Sequence, residues 1–130
     1  MMNTEEITQV SQLAAKENCC NGNHHERVMG IRDAIDVLSG KWKIEIIGSL
    51  LFGGRMRFMD LMREVNGIAA KMLSKELQDL EANQLVKRTV METKPITVEY
   101  EITPYGRSLE SVIIGIANWG LEHRRRIMKG

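Results

Sequence analysis

Two stretches of helical periodicity are separated by only three residues, Asn66-Gly67-Ile68. Apolar residues recur at helical spacing from Phe58 to Val65, and a second helical pattern runs from about Ala69 to Asn83. Two helices joined by so short a glycine-containing turn are typical of a helix-turn-helix, although other helical hairpins share the pattern. These two helices alone therefore leave both structures open.

The segment that follows favours the helix-turn-helix because it predicts a β-hairpin. Residues 85–93 have strand character, and residues 96–103 alternate regularly between apolar and polar side chains around a turn at Lys94-Pro95. Thr103 is then a suitable N-cap for a final helix that begins with Pro104. The order of elements predicts a mainly α fold with a small β-hairpin wing, which is a winged helix-turn-helix.

Further helices are predicted on the N-terminal side. Residues 4–17 form an amphipathic pattern whose apolar face carries Ile7, Val10 and Ala14. A helix over residues 26–38 would bury Ile31, Ala34, Ile35 and Leu38, and a strongly apolar helix over residues 41–52 ends at Gly53-Gly54. We therefore expect an N-terminal arm over residues 1–25 and a winged-helix domain over residues 26–130.

The second helix of the pair presents polar side chains opposite a leucine stripe. On a helical wheel of about 100° per residue, Leu73, Leu77 and Leu80 share one face. The opposite face carries donors that suit base edges in a major groove, with one hydroxyl at its margin: Lys71, Lys75, Gln78 and Ser74. A solvated surface helix would show the same residue types, so the wheel alone does not decide between them.

Basic residues concentrate in the elements that would lie beside this helix. The stretch 55–75 holds five basic and two acidic residues, although the whole chain has a net charge of only +1. We expect contacts with the DNA backbone from the start of the helix pair and from the wing: Arg55, Arg57, Lys87, Arg88, Lys94 and Thr97.

The final helix carries two apolar stripes and therefore needs two partners. Leu109, Val112, Ile113, Ile116 and Gly120 form the stripe that would meet the core, and Ile114, Ala117, Leu121 and Met128 form the other. The second stripe predicts a dimer interface with the helix over residues 4–17, through Ile7, Val10, Ala14, Ile114, Ala117 and Leu121. Coverage of the stripe within one monomer is the alternative.

Composition excludes several classes of protein. Hydrophobic residues make up 43% and charged residues 27% of the 130 residues, which is ordinary for one globular domain. No apolar run approaches the length of a membrane span, and the acidic start MMNTEEITQV is not a signal peptide. The only cysteines, Cys19 and Cys20, are adjacent and cannot form a disulfide framework, so we expect a cytoplasmic protein without a membrane partner.

Catalysis and metal binding have weaker support in the residues. The sequence contains neither a glycine-rich phosphate loop nor a nucleophile elbow, so we predict that the chain is not an enzyme. Cys19, Cys20, His24 and His25 are four soft ligands within seven residues, but adjacent ligands point poorly at one tetrahedral centre. We predict no cofactor and no metal, and we keep a thiol- or metal-responsive sensor at Cys19 and Cys20 as an alternative.

Six short motifs are spread over residues 28–120: Leu38-Ser39-Gly40-Lys41-Trp42, Gly67-Ile68 with Lys71-Met72-Leu73, Leu85-Val86-Lys87-Arg88, Val98-Glu99-Tyr100, Gly106-Arg107-Ser108-Leu109 and Trp119-Gly120. Together they resemble the HxlR-type transcriptional regulators, a MarR-like family. The resemblance implies a bacterial, dimeric winged-helix protein that binds DNA and regulates transcription.

The chain departs from the family pattern at two positions. Similar proteins commonly place a small hydroxyl residue where Ala69 stands, and its absence removes an N-cap worth about 0.5–2 kcal/mol. Members that sense oxidants or electrophiles carry a cysteine at the position of Met29, counted back from Gly40. The resemblance therefore does not carry thiol sensing to this chain.

We predict a homodimeric, sequence-specific regulator of transcription that binds a near-palindromic operator; the sequence leaves open whether a small-molecule effector controls it. A winged-helix module that binds proteins instead of DNA is the alternative.

Overall fold

The computed structural model describes residues 23–129. The helices are α1 (His24–Leu38), α2 (Lys43–Gly53), α3 (Phe58–Glu64), α4 (Ala70–Ala82) and α5 (Glu110–Lys129). The strands are β1 (Met56–Arg57), β2 (Val86–Met91) and β3 (Thr97–Ile102), and a 3-10 helix covers Gly106–Leu109. The predicted fold class, mainly helical with a small β-hairpin wing, is confirmed. The predicted helix over residues 4–17 lies outside the described residues.

The chain divides into two compact units between Val37 and Leu38, so α1 belongs almost wholly to the first. The Asn23 side chain accepts a hydrogen bond from the Glu26 amide at 3.0 Å, and this cap starts α1 two residues earlier than predicted. The predicted burial is correct for Leu38 but wrong for Ile31, Ala34 and Ile35, which are exposed. An apolar stripe shows that a face needs covering but not which chain covers it.

The core of the second unit lies between the helix pair, α2 and the sheet. Its fully buried side chains come from α2, from the α3–α4 pair and from β2: Ile46, Ile47, Leu50, Leu61, Val65, Leu73, Leu77, Leu80 and Val86. The three leucines of α4 are thus buried as the wheel predicted. Because α4 is buried along this face, its opposite face is directed toward solvent.

The sheet has three antiparallel strands in the order β1-β3-β2. In the wing, Val86 lies opposite Ile102 and Val90 lies opposite Val98. The two-residue strand β1 was not predicted, because two residues show no periodicity. Ile96, the first apolar residue of the alternating pattern, is 72% exposed because it precedes β3 at the hairpin tip.

The final helix starts differently from the prediction. Thr103 Oγ1 accepts a hydrogen bond from the Gly106 amide at 2.9 Å, but a turn and the 3-10 helix come before α5 begins at Glu110. The Thr103 hydroxyl also donates to the Gln84 carbonyl at 2.6 Å. Gly106 is buried, and a Cβ atom there would lie 2.3 Å from the Leu85 carbonyl oxygen. This close approach joins the start of the final helical segment to the base of the wing.

Most of the apolar surface of α5 is exposed. Of the stripe predicted to meet the core, only Ile113 is buried, whereas Val112 and Ile116 are exposed. The prediction for those two residues is wrong because α5 meets α2 along the line of Ile113, whose Cγ2 atom would lie 3.6 Å from a Cβ atom on Gly48. Val112 and Ile116 lie about 100° and 60° away from Ile113 around the helix. In the second stripe Ala117 and Leu121 are exposed and Ile114 is half-buried.

Candidate nucleic-acid interface

The turn between α3 and α4 places one face of α4 at the surface. Gly67 has φ +92°, a left-handed conformation that glycine adopts without strain. The Ile68 amide then donates to the Val65 carbonyl at 3.3 Å, which closes the turn. Ala69 has the extended backbone of an N-cap but no side-chain cap bond, as the sequence predicted.

The exposed face of α4 carries cationic and amide donors. Lys71, Lys75 and Gln78 are exposed, and Ser74 is half-buried at the margin of the face. The first turn of α4 contains no acidic residue, and within residues 23–129 no carboxylate forms an ion pair with Lys71 or Lys75. The helix therefore presents two uncompensated positive charges and a side-chain amide to solvent near its N-terminal half.

The two arginines before α3 differ in their surroundings. Arg57 is exposed, and its backbone amide donates to the Asp60 carboxylate at 3.2 Å, which starts the helix. The Arg55 guanidinium instead forms an ion pair with Glu101 on β3 at 3.2 Å. Because Glu101 already neutralises Arg55, a phosphate would have to compete with that carboxylate.

The wing presents its basic residues in different directions. Lys87 lies opposite Glu101 and Arg88 opposite Tyr100, so the two neighbours point to opposite faces of the hairpin. Lys94 is exposed at the hairpin tip. Beside it, the hydroxyls of Thr93 and Thr97 lie 3.3 Å apart, and Thr93 also donates to the Pro95 carbonyl at 2.8 Å. These bonds stiffen the tip at the position where a wing would meet a phosphate backbone.

The sequence analysis did not predict a cluster of charged residues that lies beneath α4. Lys43, the first residue of α2, places its Nζ atom 3.0 Å from Glu76 Oε2 and 3.3 Å from Asp79 Oδ2. Burial lowers the pKa of Lys43, but hydrogen bonds and charge interactions with Glu76 and Asp79 raise it, and the net pKa lies above the usual 10.5. Glu76 could have predicted the cluster, because it lies beside the buried leucine stripe on the helical wheel. A buried carboxylate is costly unless a cation pairs with it.

The residues considered for metal or thiol chemistry are not assembled in the described part of the chain. His24 and His25 are exposed at the start of α1, while Cys19 and Cys20 lie outside the described residues. Across residues 23–129, no three His, Cys, Asp or Glu side chains lie together as a set of metal ligands. Nor does any helix in that range combine the length and apolar character needed to cross a membrane.

Comparison with known proteins gives a consistent result. The family model described as HxlR-like helix-turn-helix matches residues 37–128. The HTH-type transcriptional regulator YtcD of Bacillus subtilis (strain 168) is 36% identical over 99 residues, which cover 76% of this chain and 78% of YtcD.

Solved structures agree with the sequence match. The redox regulator HypR in its reduced form superposes with a TM-score of 0.71 at 32% identity, covering 78% of this chain and 99% of HypR. A transcriptional regulator of the MarR family from Enterococcus faecalis V583 gives a TM-score of 0.66 at 30% identity, covering 78% of this chain and 92% of that one. The chain therefore belongs to the HxlR-like helix-turn-helix family of winged-helix, DNA-binding transcriptional regulators.

Proposed function

We propose that the protein is a homodimeric regulator that reads DNA sequence by inserting α4 into the major groove. The observation that carries this proposal is the exposed face of α4, whose Lys71 and Lys75 are unpaired within the described chain while its opposite face is buried. A helix held in this way can approach base edges without unfolding or rearranging its own side chains. Since its family consists of regulators, the chain acts by binding rather than by catalysis, and its place of action is the bacterial cytoplasm.

The side chains of α4 divide by what they can recognise. Lysine reaches guanine acceptors or phosphates, and the amide of Gln78 can pair with adenine through two hydrogen bonds. Lys71 and Lys75 flank the half-buried Ser74, which can reach a base or a phosphate only at the margin of the face. We therefore assign base contacts to Lys71, Ser74, Lys75 and Gln78.

Contacts with the phosphate backbone come from the flanks of this helix. Arg57, directly before α3, and Lys94, at the hairpin tip, are both exposed and are the strongest candidates. From the wing, Thr97 adds a contact together with either Lys87 or Arg88, which point to opposite faces of the hairpin. Arg55 contributes less because it is paired with Glu101. Such contacts fix the position of the protein on DNA and make its affinity depend on salt.

The exposed apolar surface of α5 supports a homodimer. Leu121 and Ala117 lie on one stripe of the helix and are exposed in the single chain, and Ile114 is half-buried beside them. The partner surface proposed for them carries Ile7, Val10 and Ala14, which lie outside the described residues. Two copies would place two α4 helices about one DNA turn (~34 Å) apart, which implies a near-palindromic operator.

Selection of duplexes from a random-sequence pool tests the base contacts. Wild type, Gln78→Ala and Lys75→Ala are each used to select DNA, and Lys129→Ala is the control because it removes the same charge from the far end of α5. We expect Gln78→Ala to lose preference at one base pair per half-site, a discrimination of about 1–3 kcal/mol. Unchanged preference in both α4 variants would refute the assignment of α4 as the reading helix.

Sedimentation of two charge insertions tests the dimer. Leu121→Asp places a carboxylate on the second stripe, and Ser111→Asp places the same group on the polar side of α5, about 80° away from Leu121 around the helix. Both residues are exposed in the single chain, so neither change disturbs the core. We expect Leu121→Asp to sediment as a monomer and Ser111→Asp as a dimer; identical behaviour of the two would contradict this interface.

A further inference from the structure

The Lys43–Glu76–Asp79 cluster, defined above by its distances, lies between α2 and α4. The side chains of Lys43 and Glu76 are only 12% and 7% exposed, whereas that of Asp79 is 46% exposed. Among residues 23–129, Glu76 is the one buried polar or charged residue. Because these charges are buried, their role is not to keep the protein soluble, and another role must explain them.

Stability does not supply that reason. Removing two charges from water costs about as much as their attraction returns, and apolar replacements of buried pairs are often neutral or stabilising. The leucine stripe of α4 already buries the helix. Apolar packing does not impose a contact of defined length and direction. The Lys43–Glu76 ion pair does impose one, through its 3.0 Å hydrogen bond.

The two carboxylates of the cluster lie on the side of α4 that separates its buried face from its exposed, DNA-facing side. With Leu73 at 0° on the wheel, Glu76 lies near 300° and Asp79 near 240°, beside Lys75 at about 200°. Lys43 therefore resists rotation of α4 about its own axis. Since the tips of side chains lie about 6 Å from a helix axis, a rotation of about 10° moves them by about 1 Å. Hydrogen bonds to base edges do not tolerate that displacement.

The segment that carries Lys43 is itself fixed against the helix pair. Gly40 has φ +103°, and a Cβ atom there would lie 3.9 Å from Glu76 Oε2, so the turn before α2 borders the carboxylate. A Cβ atom on Gly67 would lie 3.8 Å from the Trp42 ring, so Trp42, the residue before Lys43, lies close to the turn of the helix pair. Lys43 thus belongs to a segment that lies beside both α4 and the turn before it.

We propose that Lys43, Glu76 and Asp79 are positioning residues for sequence readout, which set the rotation of α4 so that Lys71, Lys75 and Gln78 meet base edges together. The inference rests on the proposed function of α4. Loss of the cluster reduces discrimination between DNA sequences more than it reduces folding stability or affinity for DNA of random sequence, because phosphate contacts tolerate a displaced helix better than base contacts do.

The test compares Lys43→Met and Glu76→Met with the double variant Lys43→Met/Glu76→Met. Two quantities are measured: the free energy of unfolding, and the ratio of affinities for a duplex selected by the wild type and for a random-sequence duplex of equal length. Lys43→Met leaves the buried Glu76 carboxylate without its cation, and Glu76→Met leaves Lys43 with Asp79 as its one remaining partner in the cluster, so each single variant is expected to lose stability. The double variant is expected to regain stability and wild-type affinity for random DNA. Its ratio of affinities for the selected and the random duplex is expected to fall about tenfold or more, which corresponds to the loss of one good base contact.

Two further variants keep the test decisive. Asp79→Asn changes a half-exposed residue and so retains the fold, and it is expected to lower the ratio severalfold. Glu122→Gln/Arg125→Gln removes an exposed ion pair of α5 and is expected to leave the ratio unchanged.

A double variant with wild-type stability and a wild-type ratio would overturn the inference, as would an unchanged ratio in Asp79→Asn. Failure of the wild type to select any duplex would refute the proposed function itself, and the inference with it.

Discussion

Replacing Gly106 by alanine tests how closely the final helical segment is joined to the wing. The added Cβ would lie 2.3 Å from the Leu85 carbonyl oxygen and 2.9 Å from Ile102 Cγ2. Carbon and oxygen in close contact are normally separated by about 3.3–3.6 Å, so roughly 1 Å of overlap must be relieved. The obstacle is backbone at the start of the wing, and it cannot move away as a flexible side chain can.

The expected cost follows from that geometry. Inserting one methyl group into a packed site usually costs about 1–3 kcal/mol, and contact with backbone places Gly106→Ala near the upper end. Gly115→Ala is the matched control, because Gly115 lies inside α5 on its polar side with no atom within 4 Å of the added Cβ. Alanine there is expected to stabilise the helix by about 0.5–1 kcal/mol.

Urea unfolding of wild type, Gly106→Ala and Gly115→Ala at one protein concentration measures both effects, since the stability of a dimer depends on concentration. The two alanine variants should differ by about 3–4 kcal/mol with opposite signs relative to wild type. A Gly106→Ala protein within about 0.5 kcal/mol of wild type, beside a normal Gly115→Ala, would refute the steric argument.

Further expectations concern α4 and the cation beneath it. Ala69→Ser should stabilise the protein by about 0.5–2 kcal/mol in chemical unfolding, because Ala69 has N-cap backbone geometry without a side-chain acceptor, and no gain would argue against that geometry. Leu77→Ala should cost about 2–5 kcal/mol, since Leu77 is fully buried, and a cost below 1 kcal/mol would contradict its packing. Because the pKa of Lys43 is raised in the folded state, its contribution to stability is fully present below its ordinary pKa of 10.5 and disappears as pH rises through the folded-state value. The difference in unfolding free energy between wild type and Lys43→Met should therefore shrink as pH rises above about 10.5. A difference that does not change with pH up to about 12 would contradict the raised pKa.

Periodicity predicted the parts of the fold that local sequence determines. The leucine stripe of α4 and the alternation that ends at Tyr100 and Ile102 were predicted correctly, because each pattern repeats several times against one core. Strand β1 was missed because two residues cannot show a period. The 3-10 start of the final segment depends on the approach of Gly106 to Leu85, which is a contact between residues distant in sequence.

The apolar stripes of α1 and α5 show the limit of the same reasoning. Ile31, Ile35 and Val112 have the spacing of core residues, yet they are exposed in the single chain. Spacing records that a face needs a partner and contains no information on the partner's identity. The Lys43–Glu76 pair was missed for a related reason, because residues 33 positions apart become neighbours only once α2 and α4 are packed together.

The central claim is that an exposed face of α4 reads DNA sequence, and the affinity of the wild-type protein for two duplexes tests it most directly. One duplex is selected by the protein from a random pool and the other has random sequence, and both are titrated between 50 and 200 mM salt. The account predicts that the selected duplex binds about 10³-fold tighter or more, with affinities that fall steeply as salt rises. Equal affinity for both duplexes across the whole salt range would contradict it.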